Sequence, residues 1–143
     1  MSKVRRPFQR VLVLVALSAC ATRRVDSAVP EPWAKLHLPV ENLDSVRAET
    51  DQNRLSADYR GCTAELLLNR VETALVDAGY RRTCNQFAGV VRGYRKGPAT
   101  LLVKVDSIGP VQALSVGNEQ GSDRLLFGIC FKGYQLREPQ RVK

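Results

Sequence analysis

The chain has 143 residues, with 22 Lys and Arg against 14 Asp and Glu and a formal net charge of +8. Four of those cations fall in the first ten residues. Taking four from 22 leaves 18 basic against 14 acidic residues beyond position 19, a net of +4. That is the surface of one ordinary domain, and it lacks the clustered basic excess of a nucleic-acid binder.

Lys3, Arg5, Arg6 and Arg10 precede an uninterrupted apolar run, Val11-Leu12-Val13-Leu14-Val15-Ala16-Leu17, which ends in Ser18-Ala19 and Cys20. A basic start, a short apolar stretch and small residues at its end are the parts of a secretion signal. A membrane-crossing helix needs about 20 apolar residues, and the run from Val11 to Cys20 is half that. Residues 1–19 are therefore expected to be a signal peptide.

Leu17-Ser18-Ala19-Cys20 resembles the lipobox of bacterial lipoproteins: an aliphatic residue, two small ones and the acceptor cysteine. The resemblance implies cleavage before Cys20, a diacylglycerol thioether on its sulfur and attachment to the membrane through acyl chains. Two or three chains make such attachment effectively permanent, at about 0.8 kcal/mol per buried methylene. Ala21 in place of Asp implies, by the sorting rules of such lipoproteins, the periplasmic face of the outer membrane. Residues 20–32 then read as a tether, with Pro30 and Pro32 favouring an extended spacer.

The domain is expected over 33–136, followed by a basic tail at 137–143. Trp33 to Pro39 alternates weakly and suggests a short edge segment with Trp33 docked on the domain. Val46, Ala48 and Thr50, then Leu55, Ala57 and Tyr59, alternate with polar residues around Asp51-Gln52-Asn53, which predicts a hairpin. Ala64, Leu67, Leu68, Val71, Ala74, Leu75 and Ala78 recur at steps of three and four. Thr63 is the expected N-cap and Gly79 the stop, so the segment predicts an amphipathic helix. Phe87–Arg95, Leu101–Val105 and Val111–Val116 read as further strands. Gly117 to Asp123 reads as a polar loop, and Leu125, Phe127, Ile129 and Phe131 as a last strand. The expected class is α+β: one helix on an antiparallel sheet, ββα and then three to four strands.

These features resemble a group of bacterial envelope lipoprotein domains to which no activity is assigned. The residues that carry the likeness are Leu38-Pro39, the hairpin, Ala78-Gly79-Tyr80 and Lys96-Gly97, within about 38–117. The likeness implies a fold and no mechanism.

Cys62, Cys84 and Cys130 remain beside Cys20. Outside the cytoplasm one disulfide and one spare thiol are the default. The spacings match no zinc pattern, and no metal or cofactor is expected. A helix over 64–78 rises about 21 Å, while the six residues from Ala78 to Cys84 reach at most about 20 Å. Joining Cys62 to Cys84 would demand a straight return along the helix. Cys84–Cys130 is the expected pair, Cys62–Cys130 the alternative, and three free thiols the remaining arrangement.

Catalysis finds few candidates. His37 is the only histidine and reads as a surface residue beside Pro39; nucleophile and metalloprotease motifs are missing. Gly89 and Gly93 read as strand bulges or close packing and not as a ligand cradle, and Asp51 and Asp58 as solvated hairpin carboxylates. No catalytic residue is expected.

From Arg81 to Lys104 the chain carries Arg81, Arg82, Arg92, Arg95, Lys96 and Lys104 without an acid. Such residues protect strand edges; gathered on one face, they would meet phosphate head groups or an acidic partner. The expected function is a lipid-anchored binding or structural module of the envelope. Its contact surface would be the sheet face or the loop 117–123, and its partner an envelope protein or an anionic envelope polymer. The alternative is a cysteine-dependent hydrolase or redox accessory.

Overall fold

The structure, a computed structural model, describes residues 29–49 and 51–135. The signal at 1–19, the lipidation candidate Cys20 and the tail at 137–143 lie outside the described residues, as does most of the tether.

The fold is α+β. Strands β1 (Leu43–Glu49) and β2 (Arg54–Arg60) form the expected hairpin, with Val46 opposite Ala57 and Ala48 opposite Leu55. Period-two alternation turns Leu55, Ala57 and Tyr59 to one buried face. Asp51 and Gln52 turn the chain at φ of 52° and 66°.

Helix α1 (Ala64–Asp77) follows. The Thr63 hydroxyl accepts the Leu66 N–H at 3.2 Å, and Leu67, Leu68, Val71 and Leu75 form the buried stripe. At the other end Gly79 takes φ +95°, while Gly79 N–H donates to Val76 O and Tyr80 N–H to Leu75 O. This reciprocal pair closes the last turn.

The remaining strands are β3 (Arg81–Gln86), β4 (Val91–Lys96), β5 (Ala99–Ile108) and β6 (Val111–Gly117). The sheet order is β1-β2-β6-β5-β4-β3, with every pair antiparallel. Helix α1 carries the chain from the hairpin to the far edge, and β6 returns to pair with β2. The main core lies between α1 and the sheet, where Leu75, Val71, Tyr59, Tyr94, Val103 and Val116 are almost fully buried.

Three expectations are corrected. Trp33–Leu36 is a 3-10 helix and not an extended edge segment, because the Pro30 carbonyl accepts the N–H groups of both Trp33 and Ala34. Trp33 does dock: it is buried, and its Nε1–H donates to Gln52 O at 3.1 Å. Phe87–Arg95 is not one strand. Phe87, Ala88 and Gly89 all have positive φ and turn the chain between β3 and β4, so Gly89 serves a turn and not a bulge.

The third correction is the largest. Arg124–Phe131 is a helix, α2, capped by Asp123, whose Oδ1 accepts the Leu126 N–H at 2.9 Å. Phe127 and Phe131, four residues apart, meet on one helical face with ring centroids 4.6 Å apart and planes tilted by 42°. This helix packs on the opposite side of the sheet from α1, against Val91 and Leu102. Leu101, Leu102 and Val103 are therefore buried in succession, as in a strand covered on both faces. The layering is helix, sheet, helix, with α2 covering only the β3–β4–β5 half of its face.

Cys84 on β3 and Cys130 on α2 are joined, with Cα atoms 5.4 Å apart. Cys130 thus sits on a helix and not on a last strand. Gly93 lies beneath the bridge: a Cβ there would come within 2.8 Å of Phe131 Cζ and 3.0 Å of Cys84 Cβ. The bridge spans 46 residues, and closing a loop of that length removes unfolded-state entropy equivalent to about 4 kcal/mol. Replacing both Cys84 and Cys130 by Ser should lower the unfolding free energy by an amount approaching that figure in denaturant titration. A loss under about 1 kcal/mol would show that the bridge constrains little.

Candidate functional site

The β3–β4 hairpin divides the six cations of the basic segment by the alternation of its strands. Arg81 stands opposite Arg95 and Arg82 opposite Tyr94, and the register shifts between Arg82 and Cys84. Arg82, Arg92 and Tyr94 take the α1 side. There Arg92, with its side chain 9% exposed, donates to Glu72 Oε2 at 2.8 Å and to Gly89 O at 3.1 Å. Arg82 reaches the same Glu72 oxygen at 3.3 Å. Lys104 pairs with Asp106 at 3.1 Å. These three serve the fold.

The other three remain outward. Among the described residues, Arg81, Arg95 and Lys96 have no carboxylate partner within ion-pair distance. Arg95 lies over the Phe131 ring, 5.0 Å from its centroid. Lys96 donates to Ala78 O at 2.7 Å and sits 5.8 Å from the Tyr80 ring. Like charges directly opposite on neighbouring strands repel, so Arg81 and Arg95 form an electropositive corner on the edge of the sheet.

That corner shares one end of the sheet with the entry of the N-terminal chain. The end of β1, the start of β2, the end of β6, the start of β5, the end of β4 and the start of β3 all lie there. A concavity of about 410 Å³ at this end is lined by Pro32, Trp33, Tyr80, Pro98, Leu101 and Gln120, among others. Its walls bring together the tether junction, the residue before β3 and the β4–β5 turn.

The other expected residues fall apart from this corner. His37 is exposed at φ 47°, just after the 3-10 helix. Cys62 is the free thiol, half-buried and packed against the main core. Asp58 accepts from the Ser45 hydroxyl at 3.2 Å, and Asp51 belongs to the hairpin turn. The loop 117–123 is held in one shape, with Glu119, Gln120 and Asp123 exposed on it. Asn118 pairs with Asn53 through backbone and side chain, its Oδ1 accepts two loop N–H groups, and Ser122 donates to its carbonyl. A side chain at Gly121 would collide with the Asn53 backbone. Asn53 therefore pins this loop to the first hairpin.

A larger concavity, about 640 Å³, lies between the start of α1 and the β3–β4 turn, lined by Leu68, Asn85, Phe87, Ala88 and Arg92 among others. Behind it Tyr94 is fully buried and its hydroxyl makes no hydrogen bond among the described residues. Burial, with the nearby Glu72 charge adding, raises its pKa. The Tyr59 phenol is also raised by burial; its hydroxyl donates to Pro39 O at 2.7 Å.

Sequence reasoning missed the Glu72 cluster, whose only signal was a carboxylate on the face of α1 next to its apolar stripe. It also missed Glu49. That carboxylate lies on the sheet face opposite α1, bonded to Arg47 at 2.6 Å, Arg54 at 2.7 Å and Ser56 at 3.0 Å. Those hydrogen bonds, Arg47 first, lower its pKa from 4.5 to about 2. Among protein-family models, curated proteins and solved structures, none matches this chain.

Glu72→Ala should cost about 2–3 kcal/mol, because it leaves the Arg92 guanidinium buried without its counter-charge. Arg82→Ala, which removes the exposed partner, should cost under about 1 kcal/mol; equal losses in chemical denaturation would contradict this division. For Glu49 the folded pKa lies below the unfolded one. Its contribution is thus full above pH 4.5 and fades as pH falls toward about 2. A Glu49→Gln protein should lose less stability over that interval than the parent, and parallel pH profiles would contradict the assignment.

Proposed function

We propose that the chain is a bacterial envelope lipoprotein, anchored through acyl chains on Cys20, whose α+β domain is a binding or structural module at the outer membrane. The observation that carries this reading is Leu17-Ser18-Ala19-Cys20 at the end of an apolar run too brief to cross a bilayer. The joined Cys84 and Cys130 support it, since such bridges persist in oxidising compartments outside the cytosol. No helix among the described residues is long and apolar enough to cross a membrane.

What the domain displays supports this role. Its polar groups go chiefly into holding its own loops, as at Asn53 and Asn118, or into bracing α1 on the sheet, as at Glu72. What it leaves outward is a cationic edge and shallow concavities. These suit contact with a surface or a partner.

Mass spectrometry of protein taken from its native host tests the reading. It should find residue 20 as the N-terminus, carrying a diacylglycerol thioether. An intact Met1, or an unmodified residue 20, would overturn the anchor.

A further inference from the structure

We infer that the end of the sheet bearing Arg81, Arg95 and Lys96 is the face that rests on the membrane, docking on the phosphate groups of anionic phospholipids. The inference deepens the proposed anchoring and rests on it for the position of the tether.

Three observations carry it. Pro32 and Trp33 reach this end, where they share a concavity with Tyr80 and Pro98, while Val29 before them packs on the β1–β2 side by Leu38 and Tyr59. From Cys20 to the first described residue, Val29, the chain is nine residues long and reaches at most about 30 Å. An anchor at residue 20 therefore holds the domain, this end included, within reach of the head groups.

Second, the charge is complementary and has no carboxylate to neutralise it. Arg81 and Arg95 face each other across the β3–β4 pair on the α2 side, and Lys96, next to Arg95 in the chain, adds a third cation at the same end on the α1 side. Among the described residues none of the three has a carboxylate partner. The acids of this end are engaged or displaced. Glu49 lies between Arg47 and Arg54, and Glu119 pairs with Lys132. Asp51 belongs to the β1–β2 turn, toward the opposite edge of the sheet from Arg81, and Asp77 closes α1 on the side away from Arg81 and Arg95. A layer of phosphates would relieve the repulsion between the two arginines.

Third, the cations stand on apolar footing. Arg95 lies over Phe131 and Lys96 over Tyr80, with exposed Pro98 in the adjoining turn. Long basic side chains laid along aromatic surface, with their charged heads outward, suit the boundary between head groups and water.

The test uses the chain from residue 20 onward with Cys20→Ser, so that no acyl group attaches. All of the described fold lies inside it. At low salt it is titrated with phosphatidylcholine–phosphatidylglycerol vesicles doped with a phospholipid bearing a nitroxide on its head group. Emission is read from Trp33, the only tryptophan, which sits at this end. Quenching should occur on the anionic vesicles, vanish on phosphatidylcholine alone and reverse with added salt. Each cation contributes about fivefold to partitioning. Combining Arg81→Gln, Arg95→Gln and Lys96→Gln should therefore raise the half-quenching lipid concentration roughly a hundredfold, and Arg81→Gln alone about fivefold.

A second triple, Arg60→Gln, Arg70→Gln and Lys104→Gln, removes the same charge from cations already paired elsewhere and should change it less than about fivefold. Equal losses in the two triples, undiminished quenching in the first, or quenching on neutral vesicles would overturn the inference. Because this chain carries no lipid, the result stands whatever mass spectrometry finds at residue 20.

Discussion

A helix of eight residues has almost no stability of its own, so α2 stays on the sheet only because something holds it there. The Cys84–Cys130 bridge, with Phe127 packed on Val91 and Leu102, is that hold, and Gly93 supplies the gap into which Phe131 and both cysteine Cβ atoms fit. With α2 in place, Leu102 and Val91 are covered and β5 becomes a strand buried on both faces. The bridge also ties the edge strand β3 to the body of the domain. The outward corner exists as a fixed shape for this reason: Arg81 is on the tethered strand, and Arg95 lies on the ring of Phe131.

The opposite side of the same hairpin is organised by a single carboxylate. Glu72 projects from α1 between Arg92 and Arg82, so alternation along β3 and β4 sends two cations inward to one acid and two outward to none. The shift in register between Arg82 and Cys84 lets the strand present Arg82 toward α1 while Cys84 faces α2. Stability and surface charge are thus settled together. A chain with the same composition but a different register would bury an unpaired arginine, which is costly, or turn the bridge toward the wrong helix.

Much of this was legible before the fold was known. Alternation around Asp51-Gln52-Asn53 gave the first hairpin, and steps of three and four between Thr63 and Gly79 gave α1, because single-face burial leaves a clean period in both. The illegible parts have physical causes. Phe87 and Ala88 adopt left-handed backbone without the Gly or Asn that usually signals it, so the turn reads as the start of a strand and β3 before it goes unread. In Leu125–Phe131 nearly every residue is apolar, and period two was read where the cap at Asp123 and the Phe127–Phe131 spacing mark a helix. The reach of six residues tells only against Cys62–Cys84; Cys84–Cys130 was expected with Cys130 on a last strand, and the bridge forms with Cys130 on a helix. The cationic corner was present as composition only; which three of six cations stay outward depends on register and on Glu72, neither of which the residues state.

Counting thiols in the mature protein from its native host, unfolded with and without prior reduction, tests most directly the claim that this is a cross-linked body held outside the cytosol. The account predicts one reactive thiol before reduction, that of Cys62, and three after it, with the sulfur of Cys20 blocked by lipid. Three thiols without reductant would contradict the bridge on which α2 depends, and a fourth after reduction would contradict the anchor.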